Sequence, residues 1–158
     1  MANQDASFGL KPVRMMGGSP YTGGQSRYRI ANNYGTSIFQ GDMVMQVTGG
    51  GVEIHADGGT VPIVGVFNGC TYTDPTTNEP TFSNFYPAST AAADIIAFII
   101  DDSNVVFEIQ ADDTFPVADL FGNFDIVYTT AGSTVTGISG AELDVTTGAT
   151  TAGLPLKA

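Results

Sequence analysis

The chain has 158 residues, 42% of them hydrophobic and only 13% charged, with a formal net charge of −11. That length suits one domain with a sizeable core, and the apolar content excludes a disordered chain. The charge is lopsided: residues 1–29 hold four bases against Asp5, for +3, and residues 30–158 hold Lys157 against fifteen acids, for −14. Phosphate backbones repel such a body, so no nucleic-acid partner is expected. Cys70 is the single cysteine, which excludes an internal disulfide. Met1–Asp5 is polar with no apolar stretch behind it, so no signal peptide is expected. The run "AAADIIAFII" is interrupted by Asp94 and far too short to span a bilayer, so no membrane partner is expected either.

Residues 1–34 read as an extended N-terminal arm. Lys11-Pro12, Gly17-Gly18, Ser19-Pro20 and Gly23-Gly24 break the stretch every few residues. It nevertheless carries Phe8, Leu10, Val13, Met15, Met16, Tyr21 and Tyr28, more apolar material than a free linker has. Such a segment becomes ordered against something. Its bases are Lys11, Arg14, Arg27 and Arg29, four of the five in the chain.

Residues 35–158 read as an all-β domain, a single small barrel or sandwich with little helix. Met43–Val47 alternates and reads as a strand; Gly49–Gly51 turns it into a second, Val52–Ala56. Val61–Phe67 is apolar enough to be buried on both faces. Residues 71–90, "TYTDPTTNEPTFSNFYPAST", form a long loop in which Pro75, Pro80 and Pro87 oppose regular structure. Its aromatics, Tyr72, Phe82, Phe85 and Tyr86, either pack on the body or face a partner. Ile95–Ile100 and Val105–Ile109 flank "DDSN" and read as the clearest hairpin. Phe115–Asn123 has room for one helical turn. Asp125–Thr129, Val135–Ile138, Leu143–Thr146 and the end of the chain from Leu154 complete the strands, spaced as in a sandwich or barrel.

Little in the chain looks catalytic. His55 is the only histidine and reads as a surface or half-buried strand residue; Cys70 reads as a small buried apolar residue. One histidine and one cysteine serve zinc poorly, and Asp101-Asp102 and Asp112-Asp113 point to opposite strand faces instead of forming dyads. No calcium loop or phosphate loop is present, and neither Lys nor Arg occurs between Ile30 and Leu156. No enzyme, metal or cofactor is expected, a weak divalent site between acidic turns being the remaining metal possibility.

The order of segments carries one resemblance. "SIFQGDMVMQV", then "GGTVPIVGVFNGCTY", "VVFEIQADD" and "GAELDVTTGATTAGLPLKA" resembles the head decoration, or cement, proteins of tailed bacteriophages. The likeness covers Ser37 to Ala158, and the aromatic loop at 71–90 departs from the smallest members. The resemblance implies a virion structural protein, made in the bacterial cytoplasm, that braces the outer surface of the capsid. It implies the major capsid protein as partner and a homotrimer. The arm residues Phe8, Lys11, Arg14, Tyr21, Arg27, Tyr28 and Arg29 would then bind the capsid, and Tyr72, Phe82, Phe85 and Tyr86 would meet a subunit or partner. The competing expectation is an adhesion or glycan-binding β-module that uses those loop aromatics as a stacking platform.

Overall fold

Alternating apolar residues and a glycine turn give the expected first hairpin of the body, β3 (Met43–Gln46) and β4 (Val52–Ile54), with Val44 opposite Ile54 and Gln46 opposite Val52. The computed structural model describes residues 5–56, 58, 61–150 and 153–158. β5 (Ile63–Thr73) follows and is central: β3 lies along its first half, β6 (Pro80–Ser83) along the second half of the same edge, and β7 (Ile96–Ile100) along the other edge. A bulge between Phe67 and Cys70 bends β5 at Gly69, whose φ of +130° suits glycine.

The N-terminal stretch is not a free arm. It contains β1 (Lys11–Met15) and β2 (Ser26–Arg29), and each pairs with the body. β2 lies antiparallel on β7, completing a six-stranded sheet of order β2-β7-β5-β3-β4 with β6 attached to β5. β1 lies antiparallel on β8 (Val105–Glu108), with Lys11 opposite Glu108. The strands flanking "DDSN" therefore do not form a hairpin. β7 and β8 belong to different sheets, because the N-terminal strands occupy the edges that would otherwise pair them. The breakers at residues 17–24 make the connection between β1 and β2 instead of dissolving the strands.

The third sheet has order β10-β9-β11, from β9 (Asn123–Gly132), β10 (Ser139–Ala149) and β11 (Leu156–Lys157). A single 3-10 turn, Val117–Asp119, precedes it where one helical turn was expected. Val135–Ile138, expected as a strand, mostly forms the turn between β9 and β10. The fold is nearly all β, with three antiparallel sheets and no α-helix among the described residues, and none of the sheets closes into a barrel. The two ends of the large sheet nevertheless approach each other: a Cβ at Gly51 would stand 2.8 Å from the carbonyl oxygen of Arg29.

Alternation along β5 and β7 fills two cores. Phe67, Cys70, Ala97 and Ile99 point inside the curled sheet, beside Ile38, Val44, Tyr86 and Ile95. Val66 and Ile100 point to the other face, where Met43, Leu10, Val105 and Ile126 cover them. Each large side chain fully buried in these cores contributes roughly 1.5–3 kcal/mol. Leu10 belongs to the second core and Ile30 to the first, so the ends of the N-terminal segment are anchored in both.

Candidate interaction surface

A buried polar junction fixes where the N-terminal segment lies. Asp42, in the turn before β3, is fully buried; its carboxylate accepts hydrogen bonds from the Phe39 amide at 2.7 Å and the Ser139 hydroxyl at 2.5 Å. Around it the Leu10 amide donates to Gly41 O, Gly41 N to Phe67 O and Ser139 N to Gln40 O. The carboxylate thus ties the turn at residues 39–42 to β10, and the backbone of Gly41 in the same turn holds the N-terminal segment and β5. Burial pushes its pKa up to about 7, against the lowering effect of the two hydrogen bonds. Gly9 completes the junction: its φ is +67°, and a Cβ there would lie 2.6 Å from Ser139 Cβ.

This anchoring turns β2 so that alternate side chains diverge. Tyr28 faces inward against the first core, and its hydroxyl donates to Asp101 at 2.8 Å; Ser26 also donates to Asp101. Arg27 and Arg29 face outward and are exposed. Arg27 is paired with Phe98 across the strands, its guanidinium carbon 5.9 Å from the ring centroid. Phe98 in turn meets Phe82 of β6, centroids 6.1 Å apart. Arg29 lies opposite Ile96. The open outer face of the large sheet therefore carries two guanidinium groups beside a run of Ile96, Phe98 and Phe82. Phe82 is 64% exposed and covers Gly69, where a Cβ would come within 3.1 Å of the ring. Among the described residues, no ion pair neutralises these arginines or Arg14.

The expected contact residues separate into two groups. Arg27, Arg29 and Phe82 converge on the outer face; Lys11 and Arg14 are exposed on β1, in a different sheet. The other expected arm residues turn inward. Phe8 is half-buried beside a hollow of about 430 Å³ lined also by Leu10 and Val66, and Tyr21 packs on the second core with its hydroxyl on Gly24 O. In the 71–90 segment, Tyr86 is fully buried with its hydroxyl on Tyr34 O, Phe85 stacks on Phe39 at 5.6 Å, and Tyr72 packs on the first core. These three aromatics serve the body. The segment is also more regular than its prolines suggested: β6 pairs with β5, Asp74 accepts the Thr76 and Thr77 amides in the turn, and Pro80 stands at the first position of β6, where no ladder hydrogen bond is lost.

Phe98, between Arg27 and Phe82 on the outer face, was not among the expected contact residues, although the alternation in "IAFII" places it with Ile96 on one face and opposite Ala97 and Ile99. His55 is fully buried, not a surface or half-buried strand residue. Its backbone amide donates to Met43 O, and Nε2 lies 2.8 Å from Val61 O, which draws the ring under the chain leading into β5. Cys70 is fully buried, as expected, and burial pushes its thiol up to about 12, so it stays protonated. Among the described residues, no three His, Cys, Asp or Glu side chains gather as metal ligands, and no helix is long and apolar enough to cross a membrane.

Compared with known proteins, the chain matches no family model, no curated protein and no solved structure.

Proposed function

We propose that the chain is a virion structural protein that decorates and braces the outer surface of a phage capsid, docking through the outer face of its large sheet. The observation that carries this reading is the Arg27–Phe98–Phe82 face. Exposed arginine and aromatic side chains, without internal ion pairs among the described residues and side by side on one sheet, are the combination enriched at the energetic centres of protein–protein contacts. The acidic remainder keeps copies soluble at high concentration. A sandwich-like stacking of the large sheet on the two smaller ones is the architecture that suits this role, and the partners are the major capsid protein and further copies of the chain, a homotrimer being the expected assembly. On this reading no catalysis, cofactor or nucleic acid is involved.

The test is co-sedimentation with undecorated heads of the phage that encodes the chain. Wild-type protein should pellet with them, and R27E/R29E should bind at least about tenfold more weakly, because reversing two rim charges turns attraction into repulsion. Equal binding by both proteins, with unchanged melting, would remove the face from the account.

One observation favours a second reading, a glycan-binding module. Phe82 stands beside a hollow of about 370 Å³ lined by Thr71, Thr73, Thr81 and Asp94. Asp94 accepts the Thr73 hydroxyl at 2.6 Å, and hydrogen bonds from that hydroxyl and the Thr73 amide hold its pKa below the usual range, so an ionised acceptor lies beside an aromatic ring. Calorimetric titration with oligosaccharides, repeated on F82A, distinguishes the two: heat that disappears in the variant supports the module.

A further inference from the structure

The N-terminal segment is held firmly at the Asp42 junction and loosely beyond it. No residue of β1 is fully buried, Pro12 brings no amide to the ladder, and the register with β8 slips between Pro12 and Arg14. Leu10 ties residues 8–15 into the second core, with Met15 partly buried at its edge. The hollow of about 430 Å³ lies beside Phe8, Leu10 and Pro12, so the packing on that side is incomplete. Little buried surface is given up when residues 8–15 lift and the rest of the body stays folded, a local opening of the kind that sparsely packed strands undergo.

Under this segment lies a buried acid. Gly9 is seated on the Asp42–Ser139 hydrogen bond: a Cβ there would stand 2.9 Å from Ser139 Oγ and 2.8 Å from Gly41 O. From the other side, a Cβ at Gly41 would stand 3.0 Å from Phe8 O and 3.1 Å from Leu10 N. The backbone of residues 8–10 thus roofs the turn that carries Asp42. Among the described residues, the titratable groups on the elements around it are engaged elsewhere. Lys11 is exposed opposite Glu108, Asp5 accepts from Gln110, and His55 Nε2 lies on Val61 O. Cys70 Sγ donates to Phe85 O, and Glu142 accepts the Thr129 hydroxyl. Burial and two hydrogen bonds, with no charged partner, therefore set the titration of Asp42, which holds its proton up to about pH 7. Once the roof lifts, water reaches the carboxylate and its ordinary value near 3.8 returns. We infer that Asp42 is a proton-operated latch on the N-terminal segment: protonated, it keeps residues 8–15 on the Gly41 turn and β8, and loss of its proton favours their lifting. The closed form binds a proton that the open form has given up. The opening equilibrium is therefore lowest below about pH 3.8, rises by about a decade per pH unit from there, and levels off above about 7. The closed form stays in the majority throughout, and the latch works whatever the outer face docks on.

Amide hydrogen exchange of the full chain, followed residue by residue across this pH range, tests the latch. The probe is the Leu10 amide, which donates to Gly41 O; the reference is the Tyr86 amide, which donates to Ile38 O in the first core. Where closing outpaces exchange, Leu10 should exchange at least about tenfold faster than Tyr86, because it opens without global unfolding. Its rate should climb by about two decades per pH unit between about pH 4 and 7, one from hydroxide catalysis and one from the latch, and by about one decade above 7. Asp42→Asn, which has no proton to lose, should climb by about one decade per unit throughout. Ser139→Ala keeps the carboxylate and removes a hydrogen bond that favours its ionised form, so the steep range should extend above pH 7. That variant decides the matter where Asp42→Asn does not fold. Wild-type Leu10 that climbs by only about one decade per unit overturns the inference. So does a folded Asp42→Asn that keeps the steeper climb, a Ser139→Ala whose profile matches wild type, or a Leu10 amide that exchanges no faster than Tyr86 at any pH.

Discussion

Two segments of this chain are similar in composition and opposite in what they display. Residues 5–30 and residues 71–90 are both interrupted by proline or glycine, and both carry aromatics among small polar residues, mostly Ser and Gly in the first and Thr, Ser and Asn in the second. In the first, the aromatics Tyr21 and Tyr28 turn inward and the arginines outward. In the second, Tyr72, Phe85 and Tyr86 pack on the body and one ring, Phe82, stays out. Apolar content in a breaker-rich stretch thus reports that the stretch is ordered, and not against which surface. Here the surface is mostly the chain's own, and the exposed outer face of the large sheet is assembled from what remains outside: two arginines of the first segment and one ring of the second, joined by Phe98 of β7.

The comparison breaks most visibly if the first segment is removed. Deleting residues 1–29 takes away β1, β2 and Leu10 and exposes the edges of β7 and β8. The truncated chain should lose its cooperative thermal transition in far-UV circular dichroism. A sharp melt near that of the full chain would restore the picture of an arm.

The second segment offers a contrast within four residues. Tyr86→Ala empties a fully buried site and should cost about 3–5 kcal/mol in urea denaturation. Phe82→Ala, at 64% exposure, should cost far less, roughly 0.5 kcal/mol plus the loss of its cover over Gly69. Similar costs for the two would erase the division between inward and outward aromatics.

The junction that holds the first segment should be visible in pH. Asp42 has its folded pKa raised from 3.8 to about 7. The folded state therefore binds the proton more tightly than the unfolded state does. The stability this contributes is fully present below about pH 3.8 and is lost as pH rises toward and through 7. Wild type should lose on the order of 2–4 kcal/mol relative to Asp42→Asn between pH 4 and 8. Parallel pH profiles for the two proteins would place Asp42 outside the junction. Gly9→Ala, which forces a Cβ toward Ser139 at φ +67°, should lower stability at every pH by about 1–3 kcal/mol.

The β character and the first body hairpin were legible because alternation and glycine turns are local signals. Gly49–Gly51 between Met43–Gln46 and Val52–Ile54 needs no long-range information. What escaped was pairing over distance. "DDSN" between two apolar runs looks like a hairpin turn, but whether β7 meets β8 depends on strands some seventy and ninety residues earlier that compete for both edges. Those strands are four and five residues long, and β1 contains Pro12, so their own periodicity is too short to announce them. Of the candidate contacts, Arg27, Arg29 and Phe82 were identifiable by residue type. Tyr86 and Phe85 were not distinguishable from Phe82, because burial of one ring among several in a loop is decided by what it meets, here Ile38 and Phe39 before β3.

A reconstruction of the decorated capsid at side-chain resolution tests the central claim most directly. β1 and β2 should remain paired with β8 and β7 of the same chain, while Arg27, Arg29, Phe98 and Phe82 lie covered by a neighbouring subunit. A map in which residues 5–30 have left the body to run across the capsid, with the outer face of the large sheet open to solvent, would contradict it.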